Sequence, residues 1–220
     1  MQDIGRLYDQ IAQTYDSLYV HRLDHNENVL ISEMLCGFTH GRVLDLGCGT
    51  GLALSLNGIE PKRYLGIDIS RGMITRAKEK YPDASFRLAD MVSVPIPDQS
   101  IDSIISLFGP FSYVEKPIWA VAEISRLLRP GGTFFIMAYG LGHTHKKGYC
   151  LYQHSVRRLL YTTESLRDLF KWEFTDIETY PFSFRSLPIL HPSLYKRIER
   201  FLRPWKAGAS FIIITGRKEL

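Results

Sequence analysis

The sequence predicts an α/β fold with a doubly wound, mostly parallel sheet and helices on both faces. From about residue 41 to residue 140, short apolar runs that end near Gly or Asp alternate with helical stretches. These runs are nearly continuous in their apolar character, which is typical of strands buried on both faces. Pro and Gly mark the boundaries between the runs and the helices. Strand alternating with helix is the pattern of a parallel sheet covered on both sides.

The elements follow in order along the chain. In front of the first strand, LYDQIAQTYDSLYVHR is predicted to form one amphipathic helix. The predicted strands are RVLDLG, RYLGID, SFRLAD, IDSIISLFG and GTFFIMAYG. Of the helices between them, SRGMITRAKEKYP begins after Ser70 as N-cap and stops before Pro82. KPIWAVAEISRLLRPGG has Pro117 in its first turn and is predicted to end at its Pro-Gly-Gly.

The last third departs from this alternation. TTESLRDLFKW predicts a helix with a capping box at Thr162 or Thr163, and FTDIETYPF and ASFIIITGR predict two more strands. About 25 residues separate these strands, aromatic and basic in character, with a helix predicted over residues 193–202. A connection of that length is more than a turn, so we expect it to cover part of the molecule.

Composition indicates one globular domain over residues 1–220, with 45% hydrophobic and 23% charged residues. No apolar run approaches the roughly 20 residues that cross a bilayer, and the first residues lack the apolar core of a secretory signal. Three widely spaced cysteines, Cys36, Cys48 and Cys150, form no metal-binding pattern. These features predict a cytoplasmic protein with free thiols and no membrane partner.

Charge is unevenly spread along the chain. Residues 140–207 hold twelve Lys or Arg against six Asp or Glu, a net +6, which leaves −2 for the rest of a chain whose net charge is +4. The asymmetry indicates that this region faces something anionic, although a solvated basic surface explains it equally well.

The stretch RVLDLGCGTGLAL, residues 42–54, carries three glycines directly after a strand. If the strand ends at Asp45 and Leu46 and a helix starts near Thr50, the glycines form the turn between them. Glycine permits a positive φ and close approach of a ligand, and a helix N-terminus presents free N–H groups. The pattern is therefore typical of a turn that handles a nucleotide.

A second acid supports this interpretation. Asp68, at the end of the second predicted strand, lies 21 residues beyond Gly47, where an acid that binds a ribose is expected. The dinucleotide pattern G-x-G-x-x-G fails, because position 52 is Leu and the third glycine comes one residue early. A P-loop pattern is also missing from the sequence.

With VLDLGCGTG, YLGIDISRGMITRAK, FRLADM and LLRPGGTF in this order, the chain resembles the class I S-adenosylmethionine-dependent methyltransferases, small-molecule type, over residues 41–140. The resemblance implies a Rossmann-like sheet of about seven strands with the last strand antiparallel, and S-adenosylmethionine as cofactor. It also implies a division into leader helices or a lid (1–40), a cofactor-binding core (41–140), and substrate-side elements with the last strands (141–220).

The resemblance further implies roles for single residues. Asp45, Gly47 and Gly49 would belong to the turn that holds the methionine end of the cofactor, and Asp68 would accept both ribose hydroxyls. The other implied cofactor contacts are Ile69 on the adenine, Asp90 at its amino group, Met91 at its ring, Leu107 beside the methionine, and Tyr15 near the sulfonium.

The acceptor pocket is expected after the fourth and fifth strands. Phe108, Phe111 and Tyr113 indicate an apolar or aromatic wall, and Tyr113 is a candidate for orienting the acceptor. His143 is a candidate general base, although it could equally belong to a polar loop. FGPFSY lacks the acids that a metal-dependent mechanism needs at this position, so no metal site is predicted.

These features predict methyl transfer to an O, N or C atom of a small, partly apolar or aromatic and anionic metabolite, with Arg185 and Arg197 as candidates for the anionic group. Three alternatives remain: chemistry on the aminocarboxypropyl arm of the cofactor with release of methylthioadenosine, methylation of RNA, and an inactive cofactor-binding partner protein. No nucleic-acid partner is expected, because no RNA-binding domain is appended. The oligomeric state is left open.

Overall fold

The computed structural model describes residues 2–19, 22–142, 157–183 and 208–220. Within these ranges seven strands follow each other along the chain: β1 (Val43–Leu46), β2 (Tyr64–Asp68), β3 (Ser85–Leu88), β4 (Ile101–Ser106), β5 (Leu128–Tyr139), β6 (Phe174–Phe182) and β7 (Phe211–Lys218). The α-helices of the same ranges are α1 (Gln2–Ile11), α2 (Arg22–Leu35), α3 (Leu52–Asn57), α4 (Arg71–Lys80), α5 (Pro117–Leu127) and α6 (Thr163–Phe170).

All seven strands form one sheet in the order β3-β2-β1-β4-β5-β7-β6. The pairs among β1 to β5 are parallel, and β7 runs antiparallel to both of its neighbours, β5 and β6. The predicted α/β fold, a mostly parallel sheet with an antiparallel last strand, is therefore confirmed. The strand order reverses at β1, which pairs with β2 on one side and β4 on the other. Ligands of open α/β sheets bind at such a reversal.

The hydrophobic core lies on both faces of the sheet. Consecutive residues of β5 point to opposite faces, so Phe134 packs in one cluster and Phe135 in the other. The first cluster includes α5 and α6, and the second includes residues of α2, α3 and α4. Helices therefore cover both faces, as the continuous apolar strands predict.

Two predicted helix starts are confirmed in detail. The Ser70 side chain accepts a hydrogen bond of 3.1 Å from the N–H of Met73 at the start of α4. Thr162 is the N-cap of α6, and it exchanges hydrogen bonds with Ser165 in a capping box. Ser165 stands where the usual box has Glu or Gln.

Two predicted elements differ in the structure. The leader is not one helix, because α1 ends at Ile11 and a separate 3-10 turn follows at Tyr15–Leu18. β5 begins at Leu128, so the Pro-Gly-Gly lies inside this strand rather than ending the helix. The ladder between β4 and β5 shifts register at this point, and Gly131 has a φ of +75°. The helix predicted over residues 193–202 lies outside the described residues.

Candidate functional site

A cavity of about 370 Å³ lies at the carboxyl ends of β1, β2 and β4, beside the reversal of strand order. Residues from these strand ends, from the leader and from β5 and β7 form its wall. Eleven of the residues predicted to bind a cofactor or substrate line it: Tyr15, Asp45, Gly47, Gly49, Asp68, Ile69, Asp90, Met91, Leu107, Phe108 and Tyr113. The structure therefore brings nearly all of the predicted site to one place.

The glycine-rich turn has the backbone that its sequence predicts. Gly47, Gly49 and Gly51 all have positive φ, at +73°, +53° and +85°. A Cβ on Gly47 would clash with the ring of Pro110, which follows β4. The N–H groups of Gly47 and Cys48 both donate to the carbonyl of Ile67 at 2.9 Å, so the turn is fastened to β2. Glycine is required at position 47 for both conformation and space.

Asp68 joins the end of β2 to this turn. Its Oδ2 accepts a hydrogen bond from the N–H of Gly49 at 2.9 Å, and its Oδ1 accepts one from the N–H of Ser70 at 2.8 Å. Burial raises the pKa of Asp68, while these backbone hydrogen bonds oppose the rise. Each carboxylate oxygen has two lone pairs, so each can accept a further hydrogen bond from a ligand in the cavity.

Asp45, at the end of β1, is buried with a half-satisfied carboxyl group. Its Oδ2 accepts a hydrogen bond of 2.8 Å from the hydroxyl of Tyr64, while Oδ1 has no hydrogen-bond partner among the described residues. Burial raises the pKa of Asp45 to about 7, and the nearby charge of Asp68 adds to this effect. A buried oxygen without a partner at a cavity wall is a place where a cationic ligand group can bind.

The remaining predicted cofactor residues follow β2, β3 and β4. Ile69 directly follows Asp68 on the cavity wall. Asp90, beyond β3, accepts a hydrogen bond of 3.1 Å from the N–H of Val92 through Oδ1, which fixes its carboxyl group. Met91 and Leu107 are the apolar residues of this part of the wall. The arrangement places a carboxylate at each of three strand ends, with apolar side chains between them.

Another part of the cavity wall is aromatic. Seven aromatic rings form a continuous row in space, in which each ring contacts the next and the centroids of neighbouring rings are 5.1 to 6.3 Å apart. We call this set the aromatic wall; in order it consists of Tyr19, Tyr15, Tyr8, Tyr113, Tyr139, Phe211 and Phe108. Burial raises the pKa of both Tyr8 and Tyr139 well above the ordinary value. These two phenols are therefore neutral near pH 7, and the wall presents flat, mainly apolar faces.

The structure places two predicted substrate residues differently. Phe111 is fully buried away from the cavity, where its ring packs on Phe170 at 5.7 Å and on Tyr161 at 5.9 Å. It belongs to the core because it lies in the 3-10 turn Pro110–Tyr113, which turns Phe111 inward while Tyr113 faces the cavity. His143, Arg185 and Arg197 lie outside the described residues.

Several cavity residues were not predicted from the sequence. Asp24 and Glu27 on α2 are buried at the wall, and Glu27 accepts a hydrogen bond from the Ser183 hydroxyl. Tyr8 could have been identified from the sequence, because the dipeptide Tyr8-Asp9 recurs seven residues later as Tyr15-Asp16, and Tyr15 was a predicted site residue. Of the described residues that line the cavity, six are acidic and one is basic: Asp16, Asp24, Glu27, Asp45, Asp68 and Asp90, with Lys80.

Within the described ranges, no group of three or more His, Cys, Asp or Glu side chains is arranged to hold a metal ion. In the same part of the chain, no helix has both the length and the apolar character to cross a membrane.

The profile of a methyltransferase domain matches residues 44–136, which run from β1 into β5. The chain is 31% identical over 147 residues to the ubiquinone/menaquinone biosynthesis C-methyltransferase UbiE of Syntrophotalea carbinolica, an alignment that covers 63% of this chain and 62% of that protein. It is 28% identical over 222 residues to a demethylmenaquinone methyltransferase of Chlorobaculum parvum, with 95% of this chain and 91% of that protein covered.

The first four curated relatives that the chain matches are covered only in part, over 26 to 62% of their own length. A solved structure from Thermotoga maritima, a SAM-dependent methyltransferase and possible histamine N-methyltransferase, superposes with a TM-score of 0.71 at 19% identity. That superposition covers 98% of this chain and 99% of the other, and it shows the same fold.

Proposed function

We propose that the chain, whose residues 44–136 match a methyltransferase domain, is an S-adenosylmethionine-dependent methyltransferase of class I that transfers a methyl group to an oxygen, nitrogen or carbon atom of a small, partly apolar or aromatic metabolite. S-adenosylmethionine is the cofactor of this domain. The observation that carries the proposal is the hydrogen bond between Gly49 and Asp68, which joins the glycine-rich turn to the acid of β2 at the wall of one cavity.

The residues of the cavity fit this cofactor. Oδ1 of Asp45, which has no partner among the described residues, matches a ligand ammonium group. At Gly49 nothing lies within 4 Å of where a Cβ would be, so the missing side chain leaves the turn open to close approach there. Each carboxylate oxygen of Asp68 can accept one more hydrogen bond, and the two together suit the two hydroxyls of a ribose. We therefore assign the methionine amino group to Asp45 and the ribose to Asp68.

The remaining cofactor residues follow from this orientation. With the ribose at Asp68, the adenine would lie on Ile69 and Met91, and Asp90 would accept a hydrogen bond from its amino group. Leu107 and Tyr15 would border the methionine end. Support for these roles comes from the position of all five residues on the wall of the same cavity.

When bound, S-adenosylmethionine supplies a methyl group that a sulfonium leaving group already activates. The protein then has to align the acceptor atom with this methyl group and to exclude water. The aromatic wall is suited to both tasks, because its ring faces are apolar and each ring is held by its neighbours. Tyr113, in the middle of this wall, is the candidate for orienting the acceptor, and it contacts both Tyr8 and Tyr139.

The nature of the acceptor rests on the aromatic wall rather than on the relatives. By their names, the two sequence relatives act on quinone precursors, whereas the solved structure is a possible histamine N-methyltransferase. A flat apolar or aromatic body fits the aromatic wall. The anionic group stays a prediction, because it depends on Arg185 and Arg197 outside the described residues, while the described cavity wall carries more acids than bases. His143 stays a predicted base for the same reason.

The experiment that tests this function identifies the product made from the cofactor. The purified protein is incubated with S-adenosylmethionine and fractionated small-molecule extracts, and mass spectrometry then follows the sulfur-containing product and the mass of each acceptor. We expect S-adenosylhomocysteine together with an acceptor that is heavier by one methylene group. The Asp68→Ala variant is the matched control and should lose both signals.

Two results would contradict the proposal. Methylthioadenosine as the main product would indicate chemistry on the amino-acid arm of the cofactor. Methylation of added RNA in preference to the small-molecule fractions would indicate a nucleic-acid acceptor, and binding to that RNA should then weaken steeply with salt.

A further inference from the structure

We propose that Asp16 is a positioning residue that fastens the leader over the cofactor cavity and can release it. Asp16 lies in the 3-10 turn Tyr15–Leu18, and Tyr15, which begins this turn, and Tyr19, which follows it, belong to the aromatic wall. We call residues 15–19 the lid turn. The inference rests on the proposed function, because it concerns how the cavity is closed on its cofactor.

The carboxylate of Asp16 joins three separate elements. Its Oδ1 accepts a hydrogen bond of 2.6 Å from the hydroxyl of Thr50, which lies inside the glycine-rich turn and is buried. Its Oδ2 accepts a hydrogen bond of 2.7 Å from Nζ of Lys80, the last residue of α4. Lys80 also donates to the Thr50 hydroxyl at 3.3 Å, which closes a triangle. The lid turn is thereby held against the turn that borders the cofactor.

The charge of Asp16 is stabilised in this position. Burial alone would raise its pKa, but the hydrogen bonds from Lys80 and Thr50 outweigh burial and lower the pKa below the ordinary value. The carboxylate is therefore ionised at neutral pH, and the ion pair with Lys80 is present whenever the lid turn is in place.

A second Tyr-Asp dipeptide anchors the helix that precedes the lid turn. Asp9 accepts hydrogen bonds of 2.7 Å from the Ser70 hydroxyl and from the N–H of Gly72, so α1 is held at the start of α4. In each dipeptide the tyrosine lines the cavity and the aspartate binds the framework. The leader consequently has two anchors, one for α1 and one for the lid turn.

Asp9 and Asp16 are both exposed, and the two anchors differ in the kind of contact they make, which identifies the one that can open. The side chains of Asp16 and Lys80 are 47% and 30% exposed, and exposed ion pairs contribute little to stability and weaken with salt. Asp9 instead binds backbone and hydroxyl groups at a helix start. Release of Asp16 would free Tyr15 and Tyr19 from the cavity while α1 stays attached, which opens a route for the cofactor without unfolding the leader.

The test combines two measurements on Asp16→Ala, Asp16→Asn and Lys80→Met. Hydrogen exchange with mass spectrometry follows residues 12–19 in the cofactor-free protein, and stopped-flow displacement follows the dissociation rate of S-adenosylmethionine. Glu79→Gln is the matched control, because Glu79 forms an exposed ion pair with Arg76 on the same helix and does not line the cavity. Urea unfolding of each variant verifies that the fold is intact.

We expect Asp16→Ala to speed exchange in residues 12–19 and to raise the dissociation rate about three- to ten-fold, as for the loss of one or two hydrogen bonds. Asp16→Asn keeps an oxygen for Thr50 and should rescue part of the effect. Added salt should raise the dissociation rate of the wild type but not that of Lys80→Met. Glu79→Gln should match the wild type in both measurements.

Unchanged exchange and unchanged dissociation in Asp16→Ala, with an intact fold, would overturn the proposal. A uniform increase in exchange across β1 and β4 would also overturn it, because Asp16 would then act on global stability. If the wild type fails to bind S-adenosylmethionine, the proposed function fails instead. The exchange of residues 12–19 in the cofactor-free protein still tests whether Asp16 holds the lid turn.

Discussion

The hydroxyl of Tyr64 donates a hydrogen bond of 2.8 Å to one carboxylate oxygen of Asp45, and the other oxygen has no hydrogen-bond partner in the described part of the chain. The first contact fixes the carboxyl group, and the second oxygen is left for a ligand. Since the group is buried, its protonation depends on whether that ligand is bound.

Cofactor affinity should depend on pH through Asp45. Burial raises the pKa of this carboxyl group to about 7 in the free protein, and a bound ammonium group would lower it again. The affinity for S-adenosylmethionine is then greatest above about pH 7 and falls as the pH drops below it. Calorimetry from about pH 5.5 to about 8.5 measures this change of affinity with pH, the pH dependence. Asp45→Asn should flatten it, whereas Asp168→Asn, an exposed carboxylate on α6, should leave it unchanged.

The same residue should make the cofactor-free protein less stable as the pH rises. The pKa of Asp45 is higher in the folded chain than in the unfolded chain. Its contribution to stability is therefore complete below the unfolded pKa of about 4 and is lost as the pH rises through about 7. Asp45→Asn should remove this part of the pH dependence in urea unfolding. If the free energy of unfolding changes with pH in the same way in the variant and the wild type, this prediction is contradicted.

Asp68→Ala should weaken the binding of S-adenosylmethionine by about 2–3 kcal/mol, because two charge-assisted hydrogen bonds to the ribose are lost. Asp68→Asn should weaken it less, since one oxygen remains. The exposed Asp83, two residues beyond Tyr81 at the end of α4, provides the control variant Asp83→Ala. Calorimetry at a fixed salt concentration measures all three, and wild-type affinity in Asp68→Ala would exclude this residue from the site.

Gly47→Ala and Gly58→Ala form a matched pair. Both glycines have a positive φ, at +73° and +56°, so an alanine is strained at either position by about 1–2 kcal/mol. Only at Gly47 would the new Cβ also clash with Pro110, whereas nothing lies within 4 Å of it at Gly58. We expect a small loss of stability from strain in both variants, a larger loss in Gly47→Ala because of the clash, and a loss of cofactor binding in Gly47→Ala alone. Thermal unfolding and calorimetry separate the two effects.

Phe111 and Phe108 should affect different properties. Phe111→Ala removes a fully buried ring and should lower the free energy of unfolding by about 3–5 kcal/mol. Phe108→Ala changes the aromatic wall, so its main effect should be a higher KM for the acceptor. Urea unfolding and steady-state kinetics on both variants measure this. If Phe111→Ala instead raised the KM for the acceptor and left the stability unchanged, Phe111 would contact the acceptor.

The reaction should not need an added metal ion. No carboxylate cluster follows the fourth strand in the sequence, where a metal-dependent mechanism would need one. Activity should therefore survive dialysis against EDTA. Loss of activity with EDTA and its recovery with Mg²⁺ would contradict this prediction.

Sequence reasoning succeeded where the controlling interactions are local. The turn at Gly47 and Gly49 could be predicted from its own glycines after a strand, and Asp68 from its position at the end of the next predicted strand. The start of α4 at Ser70 was predictable for the same reason. Each of these signals depends on a few neighbouring residues whose chemistry allows one conformation.

Prediction failed where distant contacts decide. The leader breaks into α1 and the lid turn, and Asp16 in that turn binds Lys80, 64 residues away. Phe111 was assigned to the cavity because its neighbours Phe108 and Tyr113 do line it, and only the path of the 3-10 turn separates them. Phe211 contributes to the aromatic wall because β7 pairs with β5, which no local pattern reveals.

The position of β7 has a consequence for how the chain folds. This strand is made after β5 and β6, yet it lies between them and supplies the pairing that both require. Before residues 211–218 insert, the edges of β5 and β6 that pair with β7 carry unpaired backbone groups, and such edges recruit other chains. Its pairing with β5 also closes a loop of more than 70 residues, and contacts so distant in sequence form slowly. We therefore expect aggregation during synthesis or refolding to depend on how fast this late strand is inserted.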